Sequence, residues 1–311
     1  MTCLLAPVRS IVLASVALAC ATTATACRQD RFDEQALLAR VEVLASDRFE
    51  GRAVGSEGNA LARALIVDAF RSIGLDSLGD GYRSQFVFTD QAGIETRGVN
   101  VVGVIPGTRH ADRYLVLSAH YDHLGVRSGE VYNGADDNAS GTSAIIAIAE
   151  YLAKNPPDHS VIVAALDGEE RGLRGARAFI ADPPVPLESV VVNVNLDMVS
   201  RSATEELYIA GTYHYPELRG FLEEVEPSNG VILLFGHDRP EDGSDDWTGA
   251  SDHGPFHAAG IPFVYFGVED HPGYHSPDDD FADITPRFYV SAVHTILDAV
   301  VVLDHSLAAS E

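Results

Sequence analysis

Basic residues are scarce in this sequence. It contains 21 lysine and arginine residues against 46 acidic ones, and Lys154 is the only lysine, so the formal net charge is -25. A protein that binds nucleic acid needs a basic surface, and this charge balance therefore argues against nucleic acid as a partner. The acidic residues are too widely spread to select any other partner.

Cysteine is also scarce. The chain has three cysteines, and all of them lie near the N-terminus, at Cys3, Cys20 and Cys27. The remainder of the chain therefore has neither a disulfide framework nor the thiolates of a closed structural zinc site. The N-terminal apolar run, residues 11–19, is too short to cross a bilayer, and we expect no membrane-spanning segment.

The N-terminal segment has the features of an export signal. Arg9 precedes the apolar run, and residues 24–26 (Ala-Thr-Ala) form a small-residue cleavage site. We predict a signal peptide at residues 1–26, a single catalytic domain at residues 27–311, and a periplasmic, extracellular or envelope-attached location. Cys27 directly follows the cleavage site, so a lipid anchor at Cys27 stays open, although neither Cys27 nor Cys20 follows a typical lipoprotein cleavage box.

The rest of the sequence predicts an α/β fold. Hydrophobic residues make up 46% and charged residues 22% of the chain, an ordinary globular composition. Apolar runs predict strands at residues 99–105, 114–119, 160–166, 190–196, 207–210, 231–235 and 261–268. Helical patterns lie at residues 34–44, 60–73, 144–153, 172–181, 216–225 and 285–303. Because strands and helices alternate, we predict one doubly wound, mostly parallel mixed sheet flanked by helices.

Metal-binding residue types follow several of the predicted strands. His120 and Asp122 come directly after one strand, and residues 167–170 (Asp-Gly-Glu-Glu) come after the next. Asp197 ends a third strand, and His275 lies in the segment after the last one. Each of these alone is compatible with a structural pair or a solvated acid. Since ligands of open α/β sheets bind at the carboxyl ends of strands, we expect these side chains to lie together.

The segment NGADDNASG, residues 133–141, contains the adjacent acids Asp136 and Asp137. Adjacent carboxylates repel each other unless a positive charge lies beside them, although an aspartate here could also cap the following helix. Gly134 and Gly141 predict a tight loop. Mixed histidine and carboxylate ligands suit zinc, with cobalt or manganese also compatible. One carboxylate that bridges two ions would permit two-metal hydrolysis.

Six motifs occur in the same order as in a known family. They are SAHYDHLG, NGADDNASG, LDGEERGLRGA, NLDMV, SDHGPF and GYHSPDDD, which span residues 118–280. The sequence resembles the two-zinc aminopeptidases of metallopeptidase family 28, and the resemblance extends over nearly the whole chain after the signal. It implies two zinc ions, peptide substrates and hydrolysis of N-terminal residues by a metal-activated water.

The resemblance implies a role for each site residue. It makes Asp136 the bridge between the ions, with His120 and Asp197 completing one site and Glu170 and His275 the other. It also makes Glu169 the general base and Asp122 the residue that holds the His120 ring. Many members have a cis peptide after the bridging acid, which would fall between Asp136 and Asp137.

The sequence departs from the family at one position. Thr248 stands where several members have a tyrosine that stabilises the tetrahedral oxyanion. Trp247, Phe256 and Tyr274 are candidates for the substrate pocket or for the core, and no feature identifies the preferred P1 residue. We interpret residues 278–280 (Asp-Asp-Asp) as capping or solvated acids.

Two alternatives share the predicted fold. A glutaminyl cyclase-like enzyme needs a single zinc and therefore only one set of ligands. A non-catalytic binding module of the same fold would have lost ligands or the general base. Because both histidines, the flanking acids and Glu169 are all present, the aminopeptidase is the leading interpretation. The sequence does not predict the oligomeric state.

Overall fold

The computed structural model describes residues 31–78, 80–90 and 93–310. The signal peptide predicted at residues 1–26 and all three cysteines lie outside these residues. The described chain from Arg31 onward forms one compact unit.

Nine strands form the main sheet within this part of the chain. They are β1 (Asp76–Ser77), β2 (Arg83–Thr89), β3 (Glu95–Ile105), β4 (His110–His120), β7 (His159–Leu166), β8 (Val190–Leu196), β9 (Glu206–Ala210), β10 (Ile232–Phe235) and β11 (Phe263–Gly267). A separate hairpin contains β5 (Gly125–Arg127) and β6 (Glu130–Tyr132). The order in the sheet is β1-β3-β7-β4-β8-β11-β9-β10, and β2 pairs with β3.

The centre of the sheet is parallel. β7, β4, β8 and β11 are neighbours in that order and all run in the same direction, whereas β3 and β9 flank them in antiparallel pairing. Every residue of β7 is buried, as expected for a strand that is covered on both faces. The predicted mixed α/β sheet is confirmed. The strand predicted at residues 99–105 is part of β3, and β2, which the sequence did not predict, pairs with it in an antiparallel hairpin.

Seven α-helices occur in the described residues and cover both faces of the sheet. They are α1 (Glu34–Leu44), α2 (Glu57–Ile73), α3 (Gly141–Lys154), α4 (Arg174–Ala181), α5 (Pro216–Leu222), α6 (His253–Ala258) and α7 (Pro286–Ser310). The larger core contains α1, α2, α3 and α7 together with Leu115 and Leu117 of β4. Val116, which points to the opposite face, packs with Phe179 of α4 and Phe256 of α6. This alternation along β4 produces the two-sided core.

α7 is long and apolar enough to be compared with a membrane-spanning helix. In its most apolar window, however, 61% of the residues are buried inside the protein. Phe288, Ala292 and Ile296, which follow one another at helical spacing, are completely buried in the larger core. The hydrophobicity of α7 is therefore explained by its packing.

The turn before α2 brings an arginine into the interior. Glu50, Gly51 and Arg52 all have left-handed backbone conformations, with φ of 48°, 61° and 52°. A Cβ on Gly51 would lie 2.3 Å from the carbonyl oxygen of Tyr132, so only glycine fits there. The turn directs the Arg52 side chain inward, where it is fully buried.

Arg52 connects segments that are far apart in sequence. Its guanidinium donates hydrogen bonds to the carbonyl oxygens of Leu44, Tyr121, Asn133 and Gly134. Burial lowers the pKa of Arg52 to about 10, which leaves it charged at neutral pH. It therefore fixes the loop after β4 against the loop after β6.

Replacing Arg52 with methionine should lower the free energy of unfolding by at least about 3 kcal/mol, because four buried carbonyl groups lose hydrogen bonds worth roughly 1–3 kcal/mol each. Urea denaturation of the chelator-treated protein would measure the loss. Arg40→Met is the matched control, since Arg40 is also mostly buried but pairs with Glu150 away from these loops. Its expected cost is smaller than that of Arg52→Met, because Arg40 makes one ion pair and a single 3.3 Å hydrogen bond to the carbonyl oxygen of Ser143. Equal losses in the two variants would contradict the role assigned to Arg52.

Candidate metal centre

The carboxyl ends of the four parallel strands meet at one edge of the sheet and place polar side chains there. His120 is the last residue of β4, and Asp197 directly follows β8. Glu170 lies in the turn after β7, and His275 lies in the segment after β11. The loop after β6 contributes Asp137. The structure therefore brings together side chains that are up to 155 positions apart, as predicted from the strand ends.

The first ligand group consists of His120, Asp137 and Asp197. Nε2 of His120 lies 3.2 Å from Oδ1 of Asp137 and 3.1 Å from Oδ1 of Asp197. All three residues are buried. Ligand atoms bound to one tetrahedral zinc at 2.0–2.2 Å would lie roughly 3.4 Å apart. The spacing of this group therefore fits a single ion.

The second ligand group shares Asp137 with the first. Nε2 of His275 lies 3.1 Å from Oδ2 of Asp137 and 3.5 Å from Oε2 of Glu170. The two oxygens of Asp137 thus face two different histidines, His120 and His275. A carboxylate with this arrangement is suited to bridge two ions.

The prediction that Asp136 is the bridging acid is wrong. Its Oδ1 accepts hydrogen bonds from the backbone N–H and the hydroxyl of Ser200, at 2.7 and 2.8 Å. Its Oδ2 lies 3.3 Å from Nε2 of His271. These contacts turn Asp136 away from His120 and His275. The cis peptide bond likewise follows Asp137, between Asp137 and Asn138, and not Asp136.

Asp279 holds the loop that carries the bridging acid. This residue is completely buried, and its two carboxylate oxygens accept hydrogen bonds from the backbone N–H groups of Asp136 and Asp137. Burial and the nearby Asp136 raise the pKa of Asp279 to about 6. Asp279 is therefore a buried capping acid and not a solvated one, and Asp280 caps the turn at Phe281.

Asp122 takes a different position from the one predicted. Nδ1 of His120 donates to the backbone carbonyl of Asp122 at 3.1 Å, whereas the carboxylate of Asp122 is 3.8 Å from that nitrogen. This carboxylate instead accepts a hydrogen bond of 3.0 Å from the backbone N–H of Glu169. Asp122 therefore orients the His120 ring through its backbone and holds the Glu169 turn through its side chain.

Glu169 lies beside the ligand groups in a strongly acidic environment. Burial raises the pKa of its carboxyl group well above the usual value, and the neighbouring carboxylates of Asp197, Asp252 and Glu170 raise it further against the opposing effect of His120. A raised pKa brings a glutamate closer to the range in which it can accept and release a proton at neutral pH.

The charges of the site favour a bound cation. Burial lowers the pKa of His120, but Asp197 and Asp137 more than offset it, and the pKa is well above the usual value. Burial raises the pKa of Asp137, whereas His123 and His120 outweigh this effect and hold the pKa well below its usual value. The carboxylates thus create a negative potential in which cations are stabilised.

The donors also fit zinc. They are imidazole nitrogens and carboxylate oxygens, which zinc accepts at short distances. Among the described residues, Oε1 of Glu170 and both ring nitrogens of His123 are buried without a hydrogen-bond partner. Buried polar atoms normally have such partners, so atoms left without one are candidates for metal ligation.

His123 is a site residue that the sequence analysis did not identify. Its Nδ1 lies 2.8 Å from Oε1 of Glu170 and 3.6 Å from Oδ2 of Asp137. His123, Asp137 and Glu170 lie close enough together to hold an ion. Two of them, Asp137 and Glu170, also belong to the second ligand group. The available signal was its position, since His123 follows the same strand as His120 and Asp122.

The aromatic candidates separate into core and site residues. Phe256 is fully buried and packs on Phe179, so it belongs to the core. Tyr274 stacks on His275 with ring centroids 3.9 Å apart, which places it at the metal centre. Trp247 stacks on His237, at 3.8 Å, and is half-buried.

The hydroxyl of Thr248 contacts one residue of its own loop and one residue of the segment after β9. It donates to Oδ1 of Asp246 and lies 2.9 Å from Nε2 of His214. Both contacts engage the Thr248 hydroxyl in this structure.

His253 gives the protein a measurable pH dependence. Its ring is fully buried, Nε2 donates to the backbone carbonyl of Trp247, and burial lowers its pKa to about 4. Between pH 6.5 and 4 the unfolded state binds a proton at this residue and the folded state does not, so stability falls as the pH falls. The loss should be about 3 kcal/mol.

His253→Gln keeps an N–H donor for Trp247 but cannot titrate. Urea denaturation of chelator-treated protein at pH 7 and pH 4 should therefore show that the wild type loses about 3 kcal/mol more than this variant. A parallel decline of both proteins would contradict a buried, neutral His253.

Comparison with known proteins identifies the family. The profile of Peptidase family M28 matches residues 100–300, about two thirds of the chain and the part that contains every ligand described above. The chain belongs to peptidase family M28. The resemblance seen in the six motifs is therefore confirmed.

Individual relatives agree with this family. Aminopeptidase YwaD of Bacillus subtilis is 30% identical over 217 residues, which are 65% of this chain and 44% of that protein. A probable zinc metalloprotease of Leptosphaeria maculans is 29% identical over 206 residues, which are 54% of this chain and 46% of that protein. The chain thus spans somewhat less than half the length of the curated relatives it matches.

Solved structures share the fold. BSAP, a zinc aminopeptidase from Bacillus subtilis, superposes with a TM-score of 0.70 at 18% identity, over 86% of this chain and 95% of that chain. The glutaminyl cyclase of Bacteroides thetaiotaomicron superposes with a TM-score of 0.68 at 16% identity, over 86% of this chain and 97% of that chain. At these identities the superpositions show the fold alone, and the fold is common to both activities.

Proposed function

We propose that this M28 member is an exported zinc aminopeptidase that uses two metal ions to hydrolyse N-terminal residues from peptides. The observation that supports it best is the position of the Asp137 carboxylate between two histidines. One of its oxygens faces His120 and the other faces His275. Two ligand groups that share one acid can hold two ions side by side.

His120, Asp137 and Asp197 would hold one ion, and Asp137, Glu170 and His275 would hold the other. Zinc fits this mixture of imidazole and carboxylate ligands, and cobalt or manganese would be compatible. When bound, the ions supply Lewis acidity that activates a water molecule and polarises the scissile carbonyl group.

Glu169 would transfer the proton. It is next in sequence to the ligand Glu170, and its backbone N–H is held by Asp122. Its carboxylate would accept a proton from the attacking water and donate it to the amine of the leaving peptide. The raised pKa of Glu169 suits both steps, because the group can release the proton that it has accepted.

Export is part of the proposal and is supported by the sequence of residues 1–26. We expect the protein in the periplasm, in the medium or attached to the cell envelope through Cys27. Fractionation of expressing cells and mass determination of the mature N-terminus would test this. Recovery of the uncleaved chain from the cytoplasm would contradict export.

Glutaminyl cyclase is the alternative activity, and the fold favours it as much as it favours an aminopeptidase. A single-zinc cyclase needs only one ligand group. The presence of both ligand groups, with His120 and Asp197 on one side of Asp137 and Glu170 and His275 on the other, supports the aminopeptidase.

A panel of aminoacyl chromogenic substrates would test the proposed activity on purified protein, with a cyclase assay in parallel. We expect hydrolysis of aminoacyl substrates, its loss after chelation and its recovery after zinc is added back. Chelator-insensitive hydrolysis, or cyclisation without aminoacyl hydrolysis, would contradict the proposal.

A further inference from the structure

The ring of His123 is buried against the second ligand group with no hydrogen bond to satisfy it. Its side chain has no exposed surface. Nδ1 lies 2.8 Å from Oε1 of Glu170, yet neither ring nitrogen makes an aligned hydrogen bond to any residue that the structure describes. A short N···O distance with poor alignment is a weak hydrogen bond, but it is the normal relation between two atoms that approach one metal ion.

The local backbone holds the ring in this place. A Cβ on Gly134 would lie 2.6 Å from Cγ of His123, so the absence of a side chain at Gly134 makes room for the imidazole. Gly134 also has a φ of 56°, which favours glycine. The conformation of the loop that carries Asp137 therefore leaves room for the His123 ring beside Gly134.

His123 and His275 both lie close to the carboxylates of Asp137 and Glu170. Nδ1 of His123 is 3.6 Å and Nε2 of His275 is 3.1 Å from Oδ2 of Asp137. Glu170 presents Oε1 to His123 and Oε2 to His275. The two ring centroids are 6.0 Å apart, so the imidazoles converge on these acids without stacking.

We propose that His123 is a fourth protein ligand of the second ion, beside Asp137, Glu170 and His275. This inference rests on the proposed two-metal function. Four protein ligands complete a tetrahedral site, whereas three leave a position open. The second ion is therefore the more tightly held one, and the ion of His120, Asp137 and Asp197 has the open position.

Zinc affinity of chelator-treated protein tests the assignment by competition with a zinc-binding dye. His123→Ala removes the imidazole, and His123→Gln removes it but keeps an N–H donor for Glu170. Both variants should weaken one of the two zinc sites by more than the roughly 10–100-fold that loss of a hydrogen-bonding partner behind a ligand costs. The other site should change by only a few-fold.

His294→Gln is the matched control, because His294 is a buried histidine that contacts Glu34 far from the centre. Both zinc affinities of this control should equal those of the wild type. Wild-type affinities in His123→Gln would overturn the inference, since a hydrogen bond to Glu170 would then be all that His123 contributes. A wild type that binds a single zinc would overturn the two-metal function and with it this assignment.

X-ray absorption of the zinc-loaded wild type provides a measurement that needs no variant. The inference predicts three imidazoles per two zinc ions, from His120, His123 and His275. Two imidazoles per two zinc ions would contradict it, whatever the activity of the preparation.

Discussion

Glu169→Gln should lower kcat for aminoacyl substrates by about 10²–10⁴-fold, the range that a positioned general base contributes. Glutamine has nearly the same shape as glutamate but cannot accept the proton of the attacking water. Because Glu169 lies beside the ligands without belonging to either ligand group, the variant should bind zinc with wild-type stoichiometry. Steady-state kinetics together with metal analysis of the same preparation would measure both quantities.

Glu188→Gln is the control for this variant, since Glu188 is exposed and lies away from the metal centre. It should have wild-type kcat. If Glu169→Gln keeps wild-type activity, Glu169 is not the base. If its activity falls only in proportion to lost zinc, the residue acts as a ligand and its assigned role is wrong.

Asp137→Asn should lower kcat/KM by at least about 10³-fold, because the several kcal/mol that the ions contribute to the reaction depend on their shared ligand. An asparagine presents one oxygen and one amide nitrogen and cannot bridge two cations. The purified variant should therefore also contain less zinc. Kinetics and metal content would be compared with those of Asp136→Asn.

Asp136→Asn is the matched control for Asp137→Asn, because it changes the adjacent acid in the same way. Its Oδ1 would still accept hydrogen bonds from Ser200, so the loop should keep its shape and the protein should keep its zinc. If Asp136→Asn loses both ions while Asp137→Asn retains them, Asp136 is the bridging acid, as the resemblance of the motifs implies.

The location of the candidate site at the carboxyl ends of the central strands could be predicted from the sequence, because it depends on local sequence patterns. Continuous apolar runs such as β7 identify the central strands, and His120 and Asp197 directly follow strands of this kind. The helices that flank the sheet follow equally from helical periodicity and caps, as at Asp33 before α1. These features need no knowledge of contacts between distant residues.

The choice between Asp136 and Asp137 could not be made in this way. Both residues lie in one loop, and their directions are set by Ser200 and Asp279, which are about 60 and 140 positions away. Because the two acids are adjacent and identical, the sequence motif is compatible with either of them as the bridging residue. Only the hydrogen bonds of the folded chain separate the two acids.

The burial of Arg52 and the strand β2 were not predicted, for different reasons, whereas the predicted strand at residues 99–105 lies within β3. Arginines are mostly exposed, so nothing in the sequence indicates that Arg52 is completely buried and bonded to four carbonyl groups. In β2, by contrast, exposed and half-buried residues alternate along Arg83–Thr89. The sequence itself does not show that period of two, because Phe86, Val87 and Phe88 are consecutive apolar residues that follow three polar ones.

Anomalous diffraction at the zinc edge, from crystals of the purified protein, would locate the two proposed ions. We predict two peaks on either side of the Asp137 carboxylate, one within about 2.1 Å of Nε2 of His120 and one at that distance from Nε2 of His275. A single peak, or two peaks that flank Asp136 instead, would contradict this prediction.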